Sequence, residues 1–271
     1  MSHPLLILIT LLPALLWFGL WRLQDQEREP WKAMLTCFSL GMLATLPFMT
    51  IAQLFPSWGM ASASIGFTLL FASLEELSKA LLTILGIEIH RQWFTQIVDG
   101  LIYGATVGLG FAFAENLFYW LQATSTGGGF LGIYLVRSLN TMVAHSLFSA
   151  FFGFFYASAY LRKEIFPEQK KEKPWSHFFL NLWESLPLHV TLFHILPNRP
   201  SKRGHFPGSL ICEGFLLAAL LHFLFNGLIQ WSWSGSDWSF LTIPLVALLT
   251  YLAWRMFFQE VYVRIVKVVK R

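Results

Sequence analysis

The sequence predicts an all-α fold, a polytopic transmembrane bundle of about seven spans, from three observations. First, 55% of the 271 residues are hydrophobic and only 13% are charged, whereas soluble domains carry about 25% charged residues. Second, the chain holds 12 Trp and 27 Phe, which suits lipid-facing and interfacial surfaces better than one compact soluble core. Third, apolar segments long enough to cross a bilayer recur along the chain. The composition therefore indicates a multi-pass membrane protein.

Each span is predicted from its length. A bilayer core about 30 Å thick requires roughly 20 apolar residues per helix. The first segment is expected to be a retained span, because MSHPLLILIT lacks the basic region and cleavage site of a signal peptide. No repeat or Gly/Ser linker divides the chain, so residues 1–271 are expected to form one helical domain. The predicted spans are 4–22, 33–55, 60–87, 97–122, 130–160, 209–231 and 239–258.

Basic residues predict the orientation. The first, third and fifth connections and the C-terminal tail carry the loop Lys and Arg, whereas the second, fourth and sixth connections carry none. By the positive-inside rule, this alternation places the N-terminus outside and the C-terminus inside. We therefore expect a multi-pass protein of the cell membrane, with the lipid bilayer as a partner. Nucleic-acid binding is not expected, because the basic residues lie in loops between spans.

Two segments outside the spans have distinct characters. The fifth connection, residues 161–208, is the one sizeable loop and is expected to be cytoplasmic. Within it, residues 177–197 are apolar but interrupted by charged, Pro and His residues, which predicts an interfacial or re-entrant segment. The tail, residues 259–271, is basic and amphipathic and is expected to face anionic lipid. Cys37 and Cys212 lie in apolar runs, so no disulfide is predicted.

Polar residues at membrane depth concentrate in four consecutive spans. The stretch LLFASLEELSKALLTIL, residues 69–85, places Glu75, Glu76 and Lys79 in the third span. A charge at the centre of a membrane helix costs about 2.5–3.5 kcal/mol, so the presence of these three charged residues within a span needs an explanation. Spans three to six together therefore predict one shared buried site. The later spans add Glu115, Asn116, Arg137, Asn140, His145, His222 and Asn226.

Helical spacing suggests how the third span contributes. Lys79 lies three residues after Glu76 and four after Glu75, so it can neutralise one carboxylate on its own helix. The two Glu residues are about 100° apart around the axis. We therefore expect one of them to face the chemistry and the other to brace a neighbouring helix, and the spacing leaves open which is which. In span six, His222 and Asn226 share a helix face.

A rise of about 1.5 Å per residue gives a crude depth for each group. By this count Glu75, His145 and His222 lie near mid-membrane, and Glu115 lies nearer the outer face. Two His and two or three Glu on converging helices suit a divalent metal, above all Zn²⁺. A carboxylate beside a bound water can serve as general base, and Asn226 can donate to an oxyanion.

Four motifs in this order resemble the PrsW intramembrane proteases. They are EELSK (75–79), VDGLIYGATVGLGFAFAENLFY (98–119), RSLNTMVAHSLFSAFFG (137–153) and HFLFNG (222–227). That family is grouped with the CAAX prenyl endopeptidases and the bacteriocin-immunity membrane proteins. Its members are described as metalloproteases, whereas the prenyl endopeptidases are treated as glutamate-dependent enzymes with no required metal. The sequence contains no HExxH or GxGD motif, so the site-2 zinc protease and presenilin-like interpretations are set aside.

The resemblance implies an intramembrane endopeptidase whose partner is a transmembrane protein substrate, with the first cut in an anti-sigma factor as the best-known role. Carried over by position, it implies Glu75 and Glu76 as the water-activating pair, with Lys79 and Asn226 beside them as catalytic residues. It implies Glu115, His145 and His222 as metal ligands or oxyanion-side groups. It implies structural roles for Asp99, Tyr103, Gly104 and Gly110.

The predicted cofactor is one Zn²⁺, held by His145, His222 and at least one Glu. The site carries three carboxylates against two cations, Lys79 and Arg137, and a dry site favours charge balance. A metal-free glutamate mechanism is the alternative. A proton- or cation-coupled transporter is a second class of function, since intramembrane Glu and His also mark ion pathways, but no inverted repeat supports it. A non-catalytic membrane scaffold is a third class.

Overall fold

The computed structural model describes residues 3–24, 28–54, 64–123, 134, 137–165, 207–231 and 239–254. These residues are almost entirely helical and include no strand, which confirms the predicted all-α class. The segment 177–197, most of the loop 161–208 and the tail 259–271 lie outside the described residues. Their expected interfacial and cytoplasmic positions stay predictions.

The described helices follow the predicted spans closely. A π-helical turn, Arg137–Thr141, leads into the sixth helix, and a 3₁₀ turn, Ser239–Leu241, leads into the last. In chain order the helices are α1 His3–Gln24, α2 Trp31–Ala44, α3 Leu46–Leu54, α4 Ile65–Ile89, α5 Ile97–Ala123, α6 Met142–Ile165, α7 Pro207–Trp231 and α8 Thr242–Trp254.

Four helical segments are long and apolar enough to cross a membrane, judged by length and composition over the described residues. They are Trp31–Ile51, Ile97–Leu121, Arg137–Leu161 and Leu210–Gln230. Two shorter apolar helices, Ile7–Leu23 and Thr242–Trp254, correspond to the first and seventh predicted spans. The third span corresponds to α4, which has 25 residues but carries the buried charges. Each predicted span therefore coincides with helical structure over the residues of it that are described.

The centre of the bundle is the pair α5 and α6. Residues 97–113 of α5 and residues 140–153, which lead into and form the first half of α6, are all buried inside the protein, as expected for helices that are apolar on all sides. Glycines allow the close approach: a Cβ at Gly104 would collide with the carbonyl oxygen of Ser149, and one at Gly108 with that of His145. Gly110 packs against α2 in the same way. The expected structural roles of Gly104 and Gly110 are confirmed.

The start of α5 is fixed by polar contacts. Asp99 Oδ2 accepts hydrogen bonds from the backbone N–H groups of Thr95 at 2.7 Å and Gln96 at 2.6 Å, which satisfies donors that a helix N-terminus leaves free. One turn later, Tyr103 Oη donates to Glu29 Oε2 at 2.5 Å. These bonds set the register of α5 and hence the depth of Glu115, which is on the same helix.

The side of the membrane on which each loop lies is predicted from loop charge alone. We expect Lys171→Cys and Gly128→Cys to be labelled from opposite sides by a membrane-impermeant maleimide. The background variant replaces Cys37 and Cys212, which are both free thiols, with Ala. Labelling of both introduced cysteines from the same side would contradict the seven-span arrangement.

Candidate active site

Helices α4, α5, α6 and α7, with the π-helical turn before α6, bring most of the polar residues of spans three to six into one cluster. Its centre is a pair of buried imidazoles, His145 on α6 and His222 on α7, with ring centroids 4.8 Å apart and planes at 84°. Two buried aromatic rings line it: Phe111 lies 5.2 Å from the His145 ring and Phe148 lies 5.3 Å from the His222 ring. The predicted shared site is therefore present as a compact group.

Glu76 links α4 to α7. Its Oε1 accepts a hydrogen bond from Lys79 Nζ on the same helix and lies 2.8 Å from Nδ1 of His222. Because a carboxylate paired with an ammonium accepts hydrogen bonds, Nδ1 of His222 carries the proton, and Nε2 is left with its lone pair. That free nitrogen faces Glu75 Oε2 at 3.6 Å, which is too long for a direct hydrogen bond.

The two neighbouring carboxylates therefore meet at one imidazole. The helical spacing had suggested that only one of them faces the site, but Glu75 and Glu76 approach different nitrogens of His222. They differ in access instead: the side chain of Glu76 is 1% exposed, whereas that of Glu75 is 17% exposed. A separation of about 100° around α4 is small enough for both side chains to reach one ring from opposite edges.

Lys79 also crosses to α6. Its Nζ lies 3.1 Å from Nδ1 of His145 and 4.7 Å from the centroid of the Phe111 ring. An ammonium can only donate, so Nδ1 of His145 accepts and the ring proton lies on Nε2. The spacing within span three predicted that Lys79 can pair with Glu75 or Glu76, but it gave no indication of this contact between helices.

Glu115 and Arg137 form the outer rim of the cluster. Glu115 Oε2 lies 3.2 Å from Nε2 of His145 and 3.0 Å from Arg137 Nη2. The residue count places Glu115 closer to the outer face than His145, and the Glu115 carboxylate nevertheless reaches the His145 ring. Counting residues ignores how helices tilt and slide past one another and how far a side chain extends.

Three residues of the cluster are spaced to hold a metal ion. Glu75, His145 and His222 each offer one ligand atom, and these atoms lie within 4.8 Å of one another. Three N or O ligands with an open fourth position are typical of catalytic zinc sites. Both nitrogens of His145 already face polar groups, so binding a metal there would exchange one of those contacts. By spacing and ligand type the residues fit a metal.

Two predicted site residues stand apart from that group. Glu115 was predicted as a ligand, but it contacts Arg137 and His145 and is not among the three residues spaced for a metal. Asn226 lies one turn beyond His222 on α7 and is partly buried. No side-chain hydrogen bond joins Asn226 to any part of the chain that the structure describes, so its amide is not committed there to another group.

Comparisons with known proteins agree with these features. The family described as PrsW family intramembrane metalloprotease matches residues 29–196, more than half of the chain. "Protease PrsW" of Geobacillus kaustophilus is 28% identical over 158 residues, which is 58% of this chain and 65% of the relative. "Protease PrsW" of Bacillus subtilis is 31% identical over 155 residues, 56% of this chain and 66% of the relative.

A third relative, "Protease PrsW" of Oceanobacillus iheyensis, is 30% identical over 148 residues, 54% of this chain and 66% of the relative. The matched part of the chain thus spans just under two thirds of the length of each of these relatives. No solved structure matches the chain significantly. The family match covers three of the four motifs, and the chain belongs to the PrsW family of intramembrane metalloproteases.

Proposed function

We propose that the chain is an intramembrane endopeptidase that hydrolyses peptide bonds of transmembrane protein substrates, with Glu75 as the base that activates water. The observation that carries this proposal is the 3.6 Å separation between Glu75 Oε2 and the lone-pair nitrogen of His222. Two acceptors facing each other repel unless a proton donor or a cation lies between them. A water or a metal ion there would be held directly beside the carboxylate.

Glu76 and Lys79 act as the supporting pair. Both are buried, and Lys79 neutralises Glu76 while Glu76 fixes the tautomer of His222. The ammonium also holds Nδ1 of His145. This pair therefore orients both imidazoles, whereas Glu75, which is more exposed, is left to accept the proton of water. Helical spacing left open which Glu takes part in the chemistry, and in this proposal Glu75 is the base and Glu76 is the supporting residue.

The proposed cofactor is Zn²⁺, held by Glu75, His145 and His222. The alternative ligand set, which the family resemblance implies, has Glu115 in place of Glu75. A bound zinc ion would polarise the scissile carbonyl and lower the pKa of its water. A carboxylate that binds a metal through one oxygen keeps the second oxygen for a proton, so Glu75 can serve in both ways. A metal-free mechanism, in which the two imidazoles polarise the carbonyl, is the alternative.

The remaining steps use groups that the chain itself supplies. Asn226 donates to the oxyanion that forms when water adds to the carbonyl. Protonated Glu75 then delivers its proton to the leaving amine, which completes the hydrolysis. Hydrolysis inside a bilayer needs its own water, base and electrophile, and this requirement explains why charged residues occupy the middle of α4.

The proposed setting is the cell membrane, with the loop 161–208 and the basic tail on the cytoplasmic side of a single helical domain. The proposed substrate is a single-pass membrane protein, and site-1 cleavage of an anti-sigma factor is the role that the family resemblance supports. Membership of the family, the buried carboxylates and the apolar helices support a substrate that reaches the site within the membrane.

A cellular cleavage assay tests the proposal. The chain is expressed together with a panel of single-pass membrane proteins tagged at both ends, including the anti-sigma factors of the source organism. We expect a shortened product from at least one panel member with the wild type and from none with a matched Glu75→Gln, Glu76→Gln double variant. An unchanged panel, together with cation-dependent proton uptake into vesicles, would instead support the transporter interpretation.

A further inference from the structure

Arg137 belongs to the site through a tethered π-helical turn. The turn Arg137–Thr141 immediately precedes α6, and such turns occur frequently at functional sites. Two neighbouring helices hold it: Trp17 Nε1 on α1 donates to the carbonyl oxygen of Ser138 at 3.3 Å, and Asn140 Nδ2 donates to Thr242 Oγ1 on α8 at 2.6 Å. The backbone that carries Arg137 is therefore fixed from two sides, two turns before His145.

The guanidinium of Arg137 is directed at one face of α5. Its Nη2 lies 3.0 Å from Glu115 Oε2, its Nε donates to Asn116 Oδ1 at 2.7 Å, and its Cζ lies 3.8 Å from the centroid of the Tyr119 ring. A planar guanidinium can satisfy a carboxylate and a neighbouring amide at once, which the ammonium of Lys cannot do with the same geometry. The side chain of Arg137 is only 16% exposed.

The same oxygen of Glu115 serves both Arg137 and His145. Oε2 lies 3.0 Å from the guanidinium and 3.2 Å from Nε2 of His145. Since Lys79 holds Nδ1 of His145 as an acceptor, Nε2 carries the ring proton, and this nitrogen lies at ion-pair distance from the Glu115 carboxylate. The orientation of His145 thus depends on where Glu115 is held, and this partly buried carboxylate would be destabilised without its cation.

We infer that Arg137 is a positioning residue, which holds and neutralises Glu115 so that this carboxylate keeps His145 in its working orientation. The inference rests on the proposed function, because His145 matters only if the cluster performs catalysis. It assigns Arg137 no contact with the substrate. Loss of Arg137 therefore slows the chemical step and leaves substrate binding unchanged.

Kinetics of four variants test the inference. We expect Arg137→Gln to lower kcat about 10–100-fold, as loss of a residue that orients a site ligand does, with KM within about threefold of wild type. Arg137→Lys, which keeps the charge but not the planar fork, is expected to recover part of kcat. In Glu115→Gln, the amide oxygen can accept a hydrogen bond from His145 and needs no cation. The double variant Glu115→Gln, Arg137→Gln is therefore expected to exceed Arg137→Gln in kcat about tenfold.

A matched control uses Arg91→Gln, because Arg91 is an exposed arginine paired with Glu88 at 3.6 Å, outside the site. Its kcat and KM are expected to equal those of wild type. If the effects of Glu115→Gln and Arg137→Gln multiply in the double variant, or if Arg137→Gln raises KM while kcat is kept, Arg137 does not act through Glu115 and the inference is overturned.

A readout without turnover separates this inference from the proposed function. In ¹⁵N-histidine-labelled protein in nanodiscs, the Nε2–H signal of His145, identified by its loss in His145→Gln, is expected to exchange slowly with water. Arg137→Gln should abolish that protection, whereas Arg91→Gln should keep it. If the wild type cleaves nothing, the proposed function fails, and the Nε2–H signal alone then tests the role of Arg137. An unchanged signal in Arg137→Gln would overturn the inference that Arg137 positions Glu115 and His145.

Discussion

Glu75→Gln is expected to abolish cleavage in a protein that still inserts and folds, with a loss of about 10²–10⁴-fold in kcat from removal of the general base alone. The amide keeps the volume and hydrogen-bonding capacity of the carboxyl group but cannot take a proton from water. Since Glu75 is the more exposed of the two carboxylates and has no hydrogen bond to His222, its replacement breaks no hydrogen bond to that ring. The measurement is single-turnover cleavage of a reconstituted substrate.

Glu76→Gln provides the matched comparison. It is also expected to abolish measurable cleavage, but for a different reason: the neutral amide no longer compensates Lys79, which is fully buried. Breaking a buried ion pair by removing one partner costs about 3–5 kcal/mol. The midpoint of thermal unfolding should therefore fall in Glu76→Gln and stay at the wild-type value in Glu75→Gln. Near-wild-type cleavage by both variants would remove α4 from the catalytic assignment.

Metal content is the second prediction with a large expected effect. Purified wild type is expected to hold close to one Zn²⁺ per chain, and the double variant His145→Ala, His222→Ala to hold almost none. The two imidazoles supply two of the three ligand atoms that lie within 4.8 Å of one another, and one carboxylate alone is a weak zinc site. Elemental analysis of detergent-purified protein gives the ratio directly.

Two controls accompany that measurement. His90→Ala, which changes a buried histidine at the end of α4 away from the cluster, is expected to leave the metal content unchanged. Glu115→Gln distinguishes the two ligand sets: retention of the metal supports Glu75 as the carboxylate ligand, and loss supports Glu115. Equal metal in wild type and the double His variant, or full activity in metal-stripped protein, would support the metal-free glutamate mechanism.

Hydropathy and helical spacing predicted much of the fold and the membership of the site. The apolar segments located the helices because a span must satisfy its backbone hydrogen bonds internally, which leaves length and composition as the main constraints. The site residues stood out because a charge in lipid is costly, so Glu75, Glu76 and Lys79 could not be incidental. Spacing on one helix predicted that Lys79 can pair with Glu75 or Glu76, and the structure contains the pair with Glu76.

Contacts between helices could not be predicted in the same way. The contacts of Lys79 with His145 and of Arg137 with Glu115 depend on how α4, α5 and α6 are placed relative to one another. A single sequence does not specify the crossing angles and axial positions of packed helices. The glycines contain a partial signal: Gly104 and Gly108 indicate close packing of α5, but not that the carbonyl oxygens of Ser149 and His145 are what they approach. For the same reason, a residue count does not predict the contact between Glu115 and His145.

The measurement that tests the central claim most directly is cleavage by the purified chain in proteoliposomes made in ¹⁸O-labelled water. The substrate is a single-pass membrane protein identified in the cellular panel, and mass spectrometry reads the fragments. With wild type we expect an N-terminal fragment whose new carboxyl group carries one ¹⁸O atom, and with Glu75→Gln only intact substrate. Intact substrate with wild type, or the same labelled fragment with Glu75→Gln, would contradict water activation by Glu75.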